Sequence, residues 1–146
     1  MIKRGFAHLG VFFLYLVSLL PLPFLFFFAR LLYYLLYYVI GYRKKVVREN
    51  LLKSFPEKSA EQIIKIEKDF FLFLSELIFE IIKMTTISKQ ETLKRVKFTG
   101  LEQLEKHFNA GESVLACTGH YGNWELGTLA LGLSISAKTM VIYKPL

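Results

Sequence analysis

Residues 5–29 form an apolar run without a formal charge, taking His8 as neutral. At about 1.5 Å per residue a helix of that length reaches about 37 Å, more than the ~30 Å of a hydrocarbon core. Pro21 and Pro23 interrupt the run, and each removes a backbone donor from a helix interior. The pattern predicts either a kinked span or two short helices, over roughly 6–20 and 24–41, that dip into one leaflet. Further on, Ser59-Ala-Glu-Gln62 reads as a capping box, and apolar residues then recur at Ile63, Ile66, Phe70, Phe73, Leu77 and Ile81. That predicts a helix of about 25 residues. Its apolar face, widened by Ile64, Phe71, Leu74, Ile78 and Ile82, must be covered by the rest of the domain or by a membrane surface. Ser88-Lys-Gln-Glu91 repeats the capping signature for a short helix.

From Val96 the period changes. Val96–Phe98, Ser113–Thr118 and Thr139–Tyr143 read as short strands, separated by helices over Leu101–Phe108, closed by Asn109-Ala-Gly111, and Trp124–Leu133. Strand, helix, strand, helix, strand is the pattern of an α/β layer with parallel neighbours. The expected fold class is therefore α/β: N-terminal membrane-associated helices, a helix-rich segment, then a partial parallel α/β sheet. A sheet of three short strands leaves edges unpaired, so the chain is expected to be the N-terminal part of a larger design. The expected division is a membrane anchor over 1–42 and part of an α/β domain over 43–146.

Charge sharpens the first part of this picture. Of the formal net charge of +7, all but one unit falls within residues 1–50, from Lys3, Arg4, Arg30, Arg43, Lys44, Lys45 and Arg48 against Glu49. These cations flank apolar segments, so anionic headgroups explain their placement better than nucleic acid does. The run is longer than a signal-peptide core and lacks a small-x-small cleavage site, which favours a retained anchor. Lys and Arg are more numerous on its C-terminal side, and the positive-inside bias puts the chain after Arg43 in the cytoplasm. Tyr33, Tyr34, Tyr37, Tyr38 and Tyr42 precede the basic cluster at helical spacing, as expected of rings at headgroup level or packed on the rest of the protein. With 53% hydrophobic and 21% charged residues the chain is not disordered, and the lone Cys117 excludes a disulfide scaffold.

One stretch carries candidate chemistry: Thr118-Gly-His-Tyr-Gly-Asn-Trp-Glu125, at a predicted strand-to-helix junction. Gly119 and Gly122 permit a tight turn and close backbone approach. Asn123 is a candidate N-cap, and Glu125 in the first turn suits the positive end of the helix dipole. On a regular helix His120 and Glu125, five apart, diverge by about 140°. A glycine turn lets the carboxylate fold back on the imidazole, orient it and raise its basicity, as a general base requires. The same residues also suit a capped loop, and spacing alone leaves both open. There is no second His at metal spacing, no Gly-Lys-Ser/Thr and no Gly-x-Ser-x-Gly, so zinc, P-loop and hydrolase chemistry are not expected.

The His120-to-Glu125 motif, His-x4-Glu followed by Leu126, resembles the lipid A biosynthesis acyltransferases, the lauroyl- and myristoyl-transferase family of lipopolysaccharide assembly. The likeness extends upstream through Tyr42-Arg-Lys-Lys-Val-Val-Arg-Glu-Asn-Leu-Leu-Lys-Ser-Phe-Pro-Glu57, and downstream to Val141-Ile-Tyr-Lys-Pro145. It implies an enzyme on the cytoplasmic face of the bacterial inner membrane. Such an enzyme moves an acyl chain from an acyl carrier protein or coenzyme A thioester to a hydroxyl of a lipid acceptor, a lipid A precursor or lysolipid. His120 is the implied general base and Glu125 its partner, with Gly122 and Asn123 as expected substrate contacts. No metal or bound cofactor is expected, since the thioester is already activated. Lys144 reads as a phosphate contact or a solvated lysine. Family members run on into a further half, so this chain is expected to correspond to the N-terminal one. Two other readings stand beside the enzyme: a membrane-anchored scaffold whose His-x4-Glu turn is inert, and a membrane-active basic amphipathic protein.

Overall fold

Pro21 ends one helix and opens the next. In the computed structural model, which describes residues 2–142, α1 spans Ile2–Ser18 and α2 spans Leu22–Tyr34, with Pro23 tolerated in the first turn of α2. The first residues of α2 bond back to Pro21, with the amides of Phe24 and Leu25 reaching its carbonyl at 3.0 and 3.3 Å. The run is thus broken into two helices at Pro21. The backbone of α2 then widens into a π-helical segment, Leu35–Ile40, ended by Gly41 in the left-handed conformation (φ 66°). Gly41 and Arg43 (φ 49°) turn the chain into α3, Lys44–Ser54. Periodicity gave no warning of α3, because the helix buries no residue and so carries no apolar stripe.

Two compact units divide the chain, Met1–Thr86 and Ile87–Leu146. In the first, α4 (Ala60–Met84) packs against α1, α2 and α3. Its start is the expected capping box: the Gln62 amide donates to Ser59 Oγ at 3.3 Å, and the Ser59 amide to Gln62 Oε1 at 2.9 Å. The buried stripe of α4 is Ile63, Glu67, Phe71 and Ser75, matched on α2 by Leu22, Leu25 and Ala29. Full burial of Phe71 and Leu25 contributes about 1.5–3 kcal/mol each. Phe70, Phe73 and Ile81 of the expected apolar face are not covered by the rest of the chain and stand exposed. At the far end, Lys83 Nζ donates to the carbonyls of Ser18 and Leu20, and Thr86 Oγ1 donates to Ser18 O.

The second unit contains α5 (Lys89–Arg95), α6 (Leu101–Asn109) and α7 (Trp124–Ser134). Ser88 caps α5 as expected, accepting from the Glu91 amide at 3.1 Å, and α5 packs on α7. The expected partial parallel α/β sheet is not formed: the described residues are helical, with no strand among them. A strand exists only through a ladder with a neighbour. Within the described residues, Val96–Phe98, Ser113–Thr118 and the start of Thr139–Tyr143 share no backbone hydrogen bonds. Leu115, Met140 and Ile142 are 78, 93 and 90% exposed, so these short apolar runs lack the burial on which the strand reading rested. Tyr143 lies outside the described residues.

Candidate active site

Residues Thr118–Glu125 lead into α7, and the start of that helix organises them. Gly122 has φ +59°, a left-handed turn that disfavours any side chain. Asn123 then acts as N-cap, its Oδ1 accepting the Leu126 amide at 2.9 Å while its carbonyl accepts from Gly127 at 3.1 Å. Leu126 and Ala130 are buried and fix α7 from below. Glu125, in the first turn and half-buried, stands where the helix dipole favours an anion.

His120 is the centre of a tight three-residue turn, in which the Tyr121 amide donates to the Gly119 carbonyl at 2.9 Å. Its imidazole is exposed and meets the Trp124 ring edge-on, with centroids 4.9 Å apart. The expected His120–Glu125 hydrogen bond is not made; the ring rests on Trp124. The structure thus puts His120, Gly122, Asn123 and Glu125 around one helix mouth without joining the imidazole to the carboxylate. Gly122 has open space where a Cβ would stand, so the backbone beside the imidazole is approachable. Cys117 is exposed, and Lys144 lies outside the described residues. Among the described residues, no group of three His, Cys, Asp or Glu is placed to hold a metal ion.

Two polar constellations escaped sequence reasoning. His107 Nδ1 contacts Glu112 Oε2, closing the end of α6. In the first unit, fully buried Glu67 accepts from Arg48 Nε at 2.7 Å, from the terminal Arg48 nitrogen at 2.8 Å and from the Tyr37 hydroxyl at 2.8 Å. Lys44 Nζ stands 3.7 Å above the Tyr37 ring. Burial alone pushes the Glu67 carboxyl up, but the hydrogen bonds from Arg48 and Tyr37 and the charges of Arg48 and Lys44 outweigh it. The carboxyl is held below its ordinary value and stays ionised. The available signal was one glutamate inside an apolar i, i+4 stripe, between Ile63 and Phe71.

Over residues 1–145 the chain matches the family described as bacterial lipid A biosynthesis acyltransferase. Among curated proteins and among solved structures, nothing matches significantly. The match covers nearly the whole chain, and the chain belongs to this acyltransferase family of lipid A biosynthesis.

Proposed function

We propose that this family member transfers an acyl chain from an acyl carrier protein or coenzyme A thioester to a hydroxyl of a lipid A precursor or lysolipid, with His120 as general base. The observation that carries the reading is an exposed imidazole, steadied by Trp124, at the mouth of a helix whose first turn holds Glu125. His120 takes the proton of the acceptor hydroxyl as its oxygen attacks the thioester carbonyl. The tetrahedral intermediate collapses with cleavage of the carbon–sulfur bond, and the imidazolium returns the proton to the departing thiolate. Glu125 orients the ring and stabilises its cationic form once the pair closes around substrate, since catalytic hydrogen bonds are often long before substrate binds. The approachable backbone at Gly122 admits the acyl carbonyl, and Asn123 holds the helix start beneath it. Donor and acceptor meet on the cytoplasmic face of the bacterial inner membrane, where residues 1–42 act as anchor and the basic cluster from Arg43 stays on the cytoplasmic side.

The open His120–Glu125 pair is also what an inert membrane-bound scaffold would show. The two readings separate in one assay, acyl transfer from a thioester of acyl carrier protein to a lipid acceptor in membranes carrying the protein. Loss of a general base costs ~10²–10⁴ in rate. His120→Ala is expected to lower turnover by that factor with membrane association unchanged. Turnover equal to wild type removes the catalytic assignment.

A further inference from the structure

We infer that α2 lies along the plane of one leaflet of a phospholipid membrane instead of crossing it. The inference rests on the reading that the N-terminal helices meet lipid, and it deepens that reading by fixing how they meet it. Leu22–Ile40 is long and apolar enough to cross a bilayer by length and composition. What it packs against argues otherwise.

The inner faces of α2 and α4 are buried on each other, so their outer faces point in opposite directions. At about 100° per residue, Phe24, Phe27, Phe28, Leu31 and Leu35 share the outer arc of α2, and all are exposed. Arg30, with Tyr34, sits at the edge of that arc. On α4 the opposite arc carries Lys65, Asp69 and Glu76, with exposed Phe73 at its edge, while Lys83 is held by the Ser18 and Leu20 carbonyls. The arc of α2 thus offers aromatic and aliphatic side chains, and that of α4 offers mainly charge.

A crossing arrangement would carry both helices through the same depth. Phe71 meets Tyr37 at 5.4 Å between ring centroids, and Phe79 stacks on Phe28 at 6.5 Å. Glu76 therefore travels alongside the middle of Leu22–Ile40, with Arg30 near the midpoint of the helix. Ionisable groups at the centre of a bilayer are costly wherever they face lipid. In the plane of the membrane the cost vanishes. The outer arc of α2 enters the acyl chains, Arg30 extends from its rim to the headgroups, and α4 turns Lys65, Asp69 and Glu76 toward water. Arg43, Lys44 and Lys45, just past the π-helical segment, supply positive charge for anionic headgroups.

The test places single cysteines at the two ends of the α2–α4 pair, Lys45→Cys and Thr85→Cys, in the full chain with Cys117→Ser. Thr85 is two residues beyond Lys83, which holds the Ser18 and Leu20 carbonyls, so these positions flank opposite ends of Leu22–Ile40. Intact spheroplasts and inverted membrane vesicles are treated with a membrane-impermeant maleimide, and carbonate-washed pellets are checked for the protein. Both cysteines are expected to label in the same preparation and to be protected in the other. Labelling of the two from opposite sides, with the protein in the pellet, overturns the in-plane seat and leaves the membrane reading standing. Loss of the protein from the pellet overturns the membrane reading and this inference with it.

Discussion

His107 and Glu112 are five residues apart, as are His120 and Glu125, yet only the first pair is in contact. The backbone between them makes the difference. His107 lies in the last turn of α6, and Gly111 (φ 75°) reverses the chain so that the Glu112 amide returns to the His107 carbonyl at 2.9 Å and the Gly111 amide to the Phe108 carbonyl at 3.0 Å. That double closure is a Schellman motif, and it brings the two side chains together. Around His120 the chain is entering a helix. Asn123 caps α7, Glu125 rises with the first turn, and the imidazole stays behind on Trp124. A histidine and a glutamate closing a helix form a local clasp, while the same spacing opening one leaves both side chains available. Glu67 marks the other extreme, buried on three hydrogen bonds and available to nothing else.

The largest effect expected from this contrast is on turnover. His120→Ala should reduce acyl transfer by ~10²–10⁴, whereas His107→Ala should leave it close to wild type, because a clasp at a helix end touches no substrate. If the two variants exchange behaviour, the contrast is inverted. Next in size is Glu67→Ala, which strips the partner from Arg48 and Tyr37. Breaking such a buried pair costs about 3 kcal/mol, the lower end of the usual range because Arg48 keeps some water. Thermal unfolding in detergent, followed by far-UV circular dichroism, measures it, and an unchanged midpoint would mean that the network adds nothing. Because Glu67 is held below its ordinary value in the folded state, its contribution is complete above the ordinary carboxylate range. It is lost as pH falls through the lower, folded value, so acid should weaken wild type and leave Glu67→Ala less affected.

Smaller effects sharpen the two turns themselves. Asn123→Ala removes the cap of α7 and Gly111→Ala puts a side chain into a left-handed turn, each costing about 1 kcal/mol. No atom lies within 4 Å of the would-be Cβ at Gly111, so that cost is purely conformational. Urea titration reads both. Smallest is Glu112→Gln, which removes the charge from an exposed clasp and should shift the midpoint by about 0.5 kcal/mol or less.

Helix ends were the legible part of this chain. Ser59 with Gln62, Ser88, Asn123 and Gly111 all act as their residue types and spacing suggest, because caps are made by side chains a few residues from their partners. What required a distant partner was misread or missed. Ser113–Thr118 has the composition of a buried strand, but strands are defined by neighbours, and none pairs with it among the described residues. Glu67 looked like an interruption in an apolar stripe until Tyr37 and Arg48, distant in sequence, supplied its bonds. The widening of α2 into a π-helix at Leu35–Ile40 has no local signature either. At the candidate site the turn at Gly122 and the cap at Asn123 were legible, and the separation of His120 from Glu125 was not, since it depends on which way the backbone turns between them.

Trp124 is the chain's single tryptophan, and its ring touches His120. The molecule therefore carries its own optical gauge of the motif, since indole emission comes from this one place. The emission therefore follows the contact between this ring and His120 without a label and without turnover. His120→Ala serves as the silent control, and any acyl donor or lipid that lifts the ring from Trp124 will announce itself as a change in the same signal.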